Sequence, residues 1–289
     1  MSLTEIKPSR SFKDPLFNFN GLNALELSVQ FGLDALYLAI LDSKSKTFVA
    51  VKEFIFEGVY SPFQVKDEFE RIIDTEPLFK LNYTRKLVGV IDRNSVLIPE
   101  ALFDKDKTTD YLKFAQDLPV DHEVFDDELI NAKARNVYAL PSYLVQSIQD
   151  KVPGALLHHF SSPLIEGLIL KLKRTEGQKI VLHIQYSHFE MLYFLDGALN
   201  FNNTFSYTTA EDFIYYVLFV MEQLGLNTDK IEVMIYGEIE DHSGTFELLR
   251  QYVRNVQFGK RNDLIQYSDI LDAVPNHFYF NLFHQHMCV

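Results

Sequence analysis

His284, His286 and Cys288 alternate near the end of the chain, a pair of imidazoles and a thiol that suits zinc or copper when all three share one face. The same alternation arises without metal on a terminal strand or a frayed tail, and the expectation is that no metal is held. His158-His159 sits in an apolar, strand-like stretch, which predicts one packed and one solvated imidazole rather than a site. Ser187-His188 lacks both the glycine-flanked strand-to-helix elbow and the orienting acid that a hydrolytic nucleophile needs. Residues 104–128 hold nine acids against three lysines. Calcium would require oxygen ligands regularly spaced around a central glycine, and this stretch has no glycine. It reads either as a solvated face around a helix at Thr108–Gln116 or as a docking surface for a basic partner. On the second reading Asp126, Asp127 and Glu128 are the interaction candidates, with Phe103, Tyr111, Phe114 and Phe125 as aromatic anchors. Their charges are expected to be exposed and to tolerate reversal to lysine.

The elements that must carry these residues are legible as periodicity. Leu25, Leu27, Val29 and Phe31 alternate with Glu26, Ser28 and Gln30, predicting a strand with one inward and one outward face. Gly32-Leu33-Asp34 breaks it, Ala35–Leu41 and Phe48–Phe56 follow as strands, and a helix opened by Ser61-Pro62 runs to about Thr75. Leu87–Ile91 is a short apolar strand. The second half repeats the order: strands at Lys179–Ile184, Phe189–Leu195 and Leu199–Tyr207, then a helix opened by Thr208-Thr209-Ala210-Glu211 and ended before Gly225. A strand at Ile231–Tyr236 and a helix at Phe246–Val253 follow. Tandem duplication of one α/β unit explains this order. The expected organisation is a loosely held arm at 1–21, a first lobe at 22–150 and a second at 151–289, with a cleft between the lobes.

Composition excludes several classes. The 289 residues are 47% hydrophobic and 23% charged, enough apolar surface for a real core. The net charge of −13 is spread over both halves and offers no basic footprint for a phosphate backbone, so nucleic-acid binding is not expected. The longest apolar run, Phe213 to Met221, is far short of the roughly 20 residues of a spanning helix, so membrane insertion is not expected either. A single cysteine permits no intrachain disulfide, and the first ten residues do not read as a secretion signal, which together suggest a cytoplasmic protein.

The stretches Leu25-Glu-Leu-Ser-Val-Gln-Phe-Gly-Leu-Asp34 and Val181-Leu-His-Ile-Gln-Tyr-Ser187, with Phe189–Asn202 and Glu232-Val-Met-Ile-Tyr-Gly237 behind them, resemble the actin-like ATPase superfamily on the ribonuclease H-like fold. More narrowly, the chain is similar to an uncharacterised bacterial family with that fold and no assigned function. The resemblance implies a mixed sheet flanked by helices in each lobe. It also implies an aspartate two residues before a glycine, at the end of the first strand of each lobe, to organise magnesium around phosphate. Here the glycine is Gly32, but Gln30 takes the aspartate position and Tyr37 that of a downstream lysine. In the second half the matching positions are His183 and Gln185, and the glycine pair on the adenosine side is reduced to Gly237 followed by Glu238. Neutral amides and imidazoles are poor ligands for a hard dication.

These departures predict a non-catalytic interaction or scaffold protein with no cofactor, a degenerate nucleotide site at Gln30, Gly32, His183, Gln185 and Gly237, and an unknown protein partner. In pilus and cell-division relatives an inserted subdomain of the first half mediates partner contact, and residues 104–128 occupy a comparable place. The alternative is an ATP-binding kinase or ATPase that uses displaced carboxylates, Asp34 or Asp92.

Overall fold

A computed structural model describes residues 6–21, 24–59 and 61–287. The chain divides into two compact units, residues 1–166 with 263–273 and 281–289, and residues 167–262 with 274–280.

The first unit holds strands β1 (Arg10–Lys13), β2 (Leu25–Phe31), β3 (Ala35–Asp42) and β4 (Thr47–Ile55), helix α1 (Pro62–Thr75), then β5 (Arg85–Val90) and β6 (Ser95–Pro99). Helix α2 (Thr108–Ala115), β7 (His122–Leu129), β8 (Ala134–Pro141), α3 (Ser142–Lys151) and β9 (Leu156–His159) follow, and α4 (Ser161–Leu172) contains the division between units. The second unit holds β10 (Gln178–Ile184), β11 (His188–Leu195), β12 (Ala198–Ser206), α5 (Ala210–Gln223), β13 (Glu232–Gly237), α6 (Gly244–Tyr252) and β14 (Asn255–Phe258). The chain then adds β15 (Gln266–Tyr267) to the first unit and ends in α7 (Phe280–His284) and a short 3-10 turn, Gln285–Met287.

The repeat expected from the sequence is present in the register. The main sheet of the first unit runs β1-β4-β3-β2-β5-β9 with β15 beside β4, and the sheet of the second runs β12-β11-β10-β13-β14. In both, the first strand of the repeat lies between an antiparallel hairpin partner and the parallel strand that follows the helix. The first half departs from the second by an insertion: β6, α2, β7 and β8 build a separate sheet of order β6-β8-β7 between β5 and α3.

Each sheet has one face under helices. Val29 and Phe31 pack with Val65, Phe69 and Ile72 of α1 and with Leu144 and Ile148 of α3. Ile180, Leu182 and Ile184 pack with Phe213 and Val217 of α5 and Phe246 and Leu249 of α6. Apolar side chains at helical spacing, closed against a strand face, give each unit its own core. Local signals set the ends. Ser61 caps α1 ahead of Pro62, and Thr209 forms a capping box with Asp212, the acid three positions on, one residue later than the expected Thr208–Glu211 spacing.

Three expectations are corrected. Residues 6–21 are not a loose arm: β1 pairs with β4, Asp14 accepts from Ser268 Oγ at 2.6 Å, and Phe17 and Phe19 pack against the core. The first unit extends past residue 150 because β9 pairs in parallel with β5, and the second does not reach the end because 263–273 and 281–289 return to the first. Beyond the partly exposed Glu26, strand β2 has no wet face. Ser28 and Gln30 are as buried as their apolar neighbours, because Gln285 from the C-terminal turn lies over that side.

Candidate functional site

In open α/β sheets ligands gather beyond the carboxyl ends of parallel strands. In the first unit those ends belong to β2, β5 and β9.

Gly32 closes the β2–β3 hairpin, its N–H donating to the carbonyl of Ala35 at 3.1 Å. A Cβ at this position would meet Ile91 Cβ at 2.8 Å, so close strand packing requires the glycine whether or not phosphate is present. Gln30 is buried and stands in register between Tyr37 of β3 and Gly89 of β5, with His158 of β9 beyond. Gly89 leaves room for Gln285, whose Nε2 would lie 2.6 Å from a Cβ there. That amide donates to the carbonyl of Val29 at 3.0 Å and to His158 Nε2 at 2.9 Å. His158 therefore accepts, as a neutral imidazole must, and burial holds its pKa down at about 3. Both His158 and His159 are buried, contrary to the expected division into one packed and one solvated ring.

Past β5 and β9 lies a polar network absent from the expectations. Asp127 Oδ2 accepts from Ser162 Oγ at 2.6 Å and from His159 N at 2.8 Å, and its Oδ1 accepts from Tyr138 OH at 3.2 Å. Asn136 Nδ2 donates to Ser161 Oγ and Ser162 Oγ, His159 Nδ1 lies 2.6 Å from Ser161 Oγ, and His159 Nε2 donates to the carbonyl of Asp92 at 2.8 Å. Burial pushes the Asp127 carboxyl up to about 7 against these donors. This carboxyl ties the inserted sheet to β9 and the first turn of α4, so Asp127 is not one of three exposed charges. Asp126 and Glu128 are also engaged, both ion-paired with Arg135. One signal could have found the inward turn: alternation in β7 puts Asp127 on the face of Phe125, which packs against the main core.

In the second unit His183 and Glu190 are opposite each other in the β10–β11 ladder, with His183 Nδ1 3.1 Å from Glu190 Oε2. Burial pushes Glu190 up to about 8 and His183 down to about 3. The pair is thus a neutral O–H···N hydrogen bond, and neither member offers a charge to a cation. His188 Nε2 lies 3.9 Å from the other oxygen of Glu190. Gln185 closes the β10–β11 hairpin as Gly32 closes its counterpart, its N–H donating to the carbonyl of His188 at 2.9 Å, while its own carbonyl accepts from Tyr207 OH at 2.6 Å. Gly237 has φ +94, and a Cβ there would lie 2.0 Å from the carbonyl oxygen of Ile184. The N–H groups of Gly237 and Glu238 donate to the carbonyls of His277 and Ile184 at 2.9 and 2.7 Å.

The C-terminal ligand set is not a strand. His284 is buried in α7, and His286 Nδ1 donates to the carbonyl of Phe283 at 2.6 Å, with burial holding its pKa down at about 4. Cys288 lies outside the described residues. Among the described residues no group of three or more His, Cys, Asp or Glu is placed to hold a metal.

Comparison with known proteins follows this geometry. Residues 14–256 match the family model described as Protein of unknown function (DUF3822). The chain belongs to that family. Among solved structures, a Bacteroides thetaiotaomicron protein with an actin-like ATPase fold and unknown function is similar over 90% of this chain and 98% of its own, at 17% identity and a TM-score of 0.76. The PilM–PilN type IV pilus biogenesis complex contains a chain similar over 92% of this one and 98% of its own, at 13% identity and a TM-score of 0.59. No curated protein matches. This DUF3822 member therefore has the actin-like ATPase fold, a duplicated α/β architecture. No helix among the described residues is long and apolar enough to cross a membrane.

Proposed function

We propose that this DUF3822 protein is a non-catalytic actin-fold protein that binds another protein and has a degenerate nucleotide site. One observation carries the reading. The two positions where the fold's resemblance places a metal-organising carboxylate hold neutral side chains, Gln30 and His183, both buried, the first packed beside Gly89 and the second against Glu190. A neutral amide or imidazole is a poor ligand for a hydrated magnesium ion, which keeps several waters and takes carboxylate oxygens. The displaced-carboxylate alternative gains nothing from Asp92, whose Oδ1 accepts from Asn94 N at 2.7 Å and whose pKa burial raises.

An interaction role needs a surface, and the inserted sheet with α2 supports one. Phe114 and Val120 are fully exposed beside Asp110, Asp117, Asp121 and Glu123. Apolar side chains rimmed by acid suit a basic partner. The occurrence of a similar chain in the PilM–PilN complex accords with this reading. A cytoplasmic location, and no engagement of nucleic acid, belong to the same proposal and rest on the net charge of −13 and the single cysteine. The test is capture of partners from native extract by wild-type protein and by an Asp117→Lys/Asp121→Lys/Glu123→Lys variant. The variant is expected to melt like the wild type and to lose partners in a salt-dependent way; identical capture would remove this surface.

A further inference from the structure

The outer edge of the second unit's sheet carries a different surface. We infer that β12 and the exposed face of α5 form a docking site for an extended, basic segment of a partner protein, added to the sheet as another strand; this rests on the reading of the chain as an interaction protein.

Strand β12 ends the sheet order, and no described strand pairs with its outer edge. It is nine residues long, Ala-Leu-Asn-Phe-Asn-Asn-Thr-Phe-Ser, with no charge and no proline. Natural edges are usually blunted by lysine, proline, brevity or a covering element, because unpaired N–H and C=O groups recruit a further strand; on β12 the Asn203 side chain holds the Thr204 N–H at 2.9 Å, a contact that an added strand would displace. Beside this edge runs a file of rings. Phe205 of β12 stacks on Tyr216 of α5 at 5.1 Å, Tyr216 meets Tyr215 at 5.4 Å, and Tyr215 stacks on Phe219 at 6.1 Å. Tyr215 and Phe219 are 61% and 46% exposed, one turn apart on the side of α5 opposite the buried Phe213, Val217 and Val220. Ladder groups would supply affinity along the strand, and the rings would anchor alternate side chains, as in other cases of strand addition.

Charge selects the occupant. Residues 198–223 contain Glu211, Asp212 and Glu222 and no lysine, arginine or histidine. A second copy would bring the same three acids against these, whereas a strand bearing lysine or arginine finds opposite charge and ring faces for its cations.

The test is fluorescence anisotropy with a labelled nine-residue peptide alternating lysine with valine or phenylalanine. Its controls are the same peptide with glutamate for lysine, and one with alternate backbone amides N-methylated so that they cannot donate to a ladder. Wild-type protein is expected to bind the basic peptide saturably and both controls at least about tenfold more weakly. Tyr215→Ser/Phe219→Ser and Glu211→Lys/Glu222→Lys change exposed side chains only, are expected to keep the wild-type melting temperature, and should each weaken binding by about tenfold. No saturable binding to wild type, or equal affinity for wild type and the Tyr215→Ser/Phe219→Ser variant, overturns the site. Either result leaves the interaction reading standing if native partners are still captured, whereas loss of that reading would appear as stabilisation by magnesium-ATP.

Discussion

Glu190 and His183 face each other across the β10–β11 ladder at 3.1 Å, and burial makes both neutral at physiological pH. The first of these is an acid that stays protonated to about pH 8. An acid held in that form offers no negative charge to a cation.

The acid of this pair makes stability depend on pH with a definite sign. The folded pKa of Glu190 lies above its ordinary value of 4.5, so the folded state prefers the protonated acid, and its contribution to stability falls as pH rises from about 4.5 to about 8; His183, held down at about 3 against an ordinary 6.5, contributes in the opposite sense below 6.5 and is common to wild type and the variant below. Glu190→Gln keeps a donor for His183 and removes the titration. Its stability relative to wild type should therefore improve between pH 5 and pH 8, by on the order of 4 kcal/mol at 1.36 kcal/mol per unit. Parallel melting curves for the two proteins across that range would contradict the neutral pair.

Asp127 separates a tied carboxyl from exposed ones in the same acidic stretch. Asp127→Lys removes the acceptor for Ser162, His159 N and Tyr138 and puts a cation in its place, which should cost about 3–5 kcal/mol. Asp121→Lys and Glu123→Lys should stay within about 0.5 kcal/mol of wild type. Denaturant unfolding of the three variants decides it, and equal midpoints would show that the Asp127 network holds nothing together.

Gly89 and Gln285 should be coupled. Gly89→Ala places a methyl group 2.6 Å from Gln285 Nε2 and should destabilise by about 1–3 kcal/mol through overpacking. Gln285→Ala empties that space, so the double variant should lose less than the sum of the singles. Strict additivity in a double-mutant cycle would mean that the amide does not occupy the gap beside Gly89.

What the sequence revealed and what it hid divide along physical lines. The two hairpins and their helices were legible because period-two and helical spacing report a buried face, and Ser61-Pro62, Thr209 and Gly225 punctuate them. The equivalence of Gln30 and His183, each two positions before the residue that closes its hairpin, was legible because position in a repeated pattern needs no coordinates. The return of residues 263–273 and 281–289 to the first unit was not, since nothing local in Gln285 says that it will fill the space beside Gly89. His158 was misread for the same reason: a polar ring in an apolar stretch is buried or wet according to its cover, and here that cover arrives from more than a hundred residues away. The inward turn of Asp127 was half visible, through its phase with Phe125, and masked by the acids around it.

The central claim, that this actin-fold chain does not use nucleotide, is tested most directly by thermal unfolding with and without millimolar magnesium-ATP. A ligand present at one hundred times its dissociation constant stabilises the folded state by about 2.7 kcal/mol, which a protein of this size registers as several degrees. The account predicts a melting temperature unchanged to within about a degree. A rise of several degrees, lost when magnesium is removed, would contradict it.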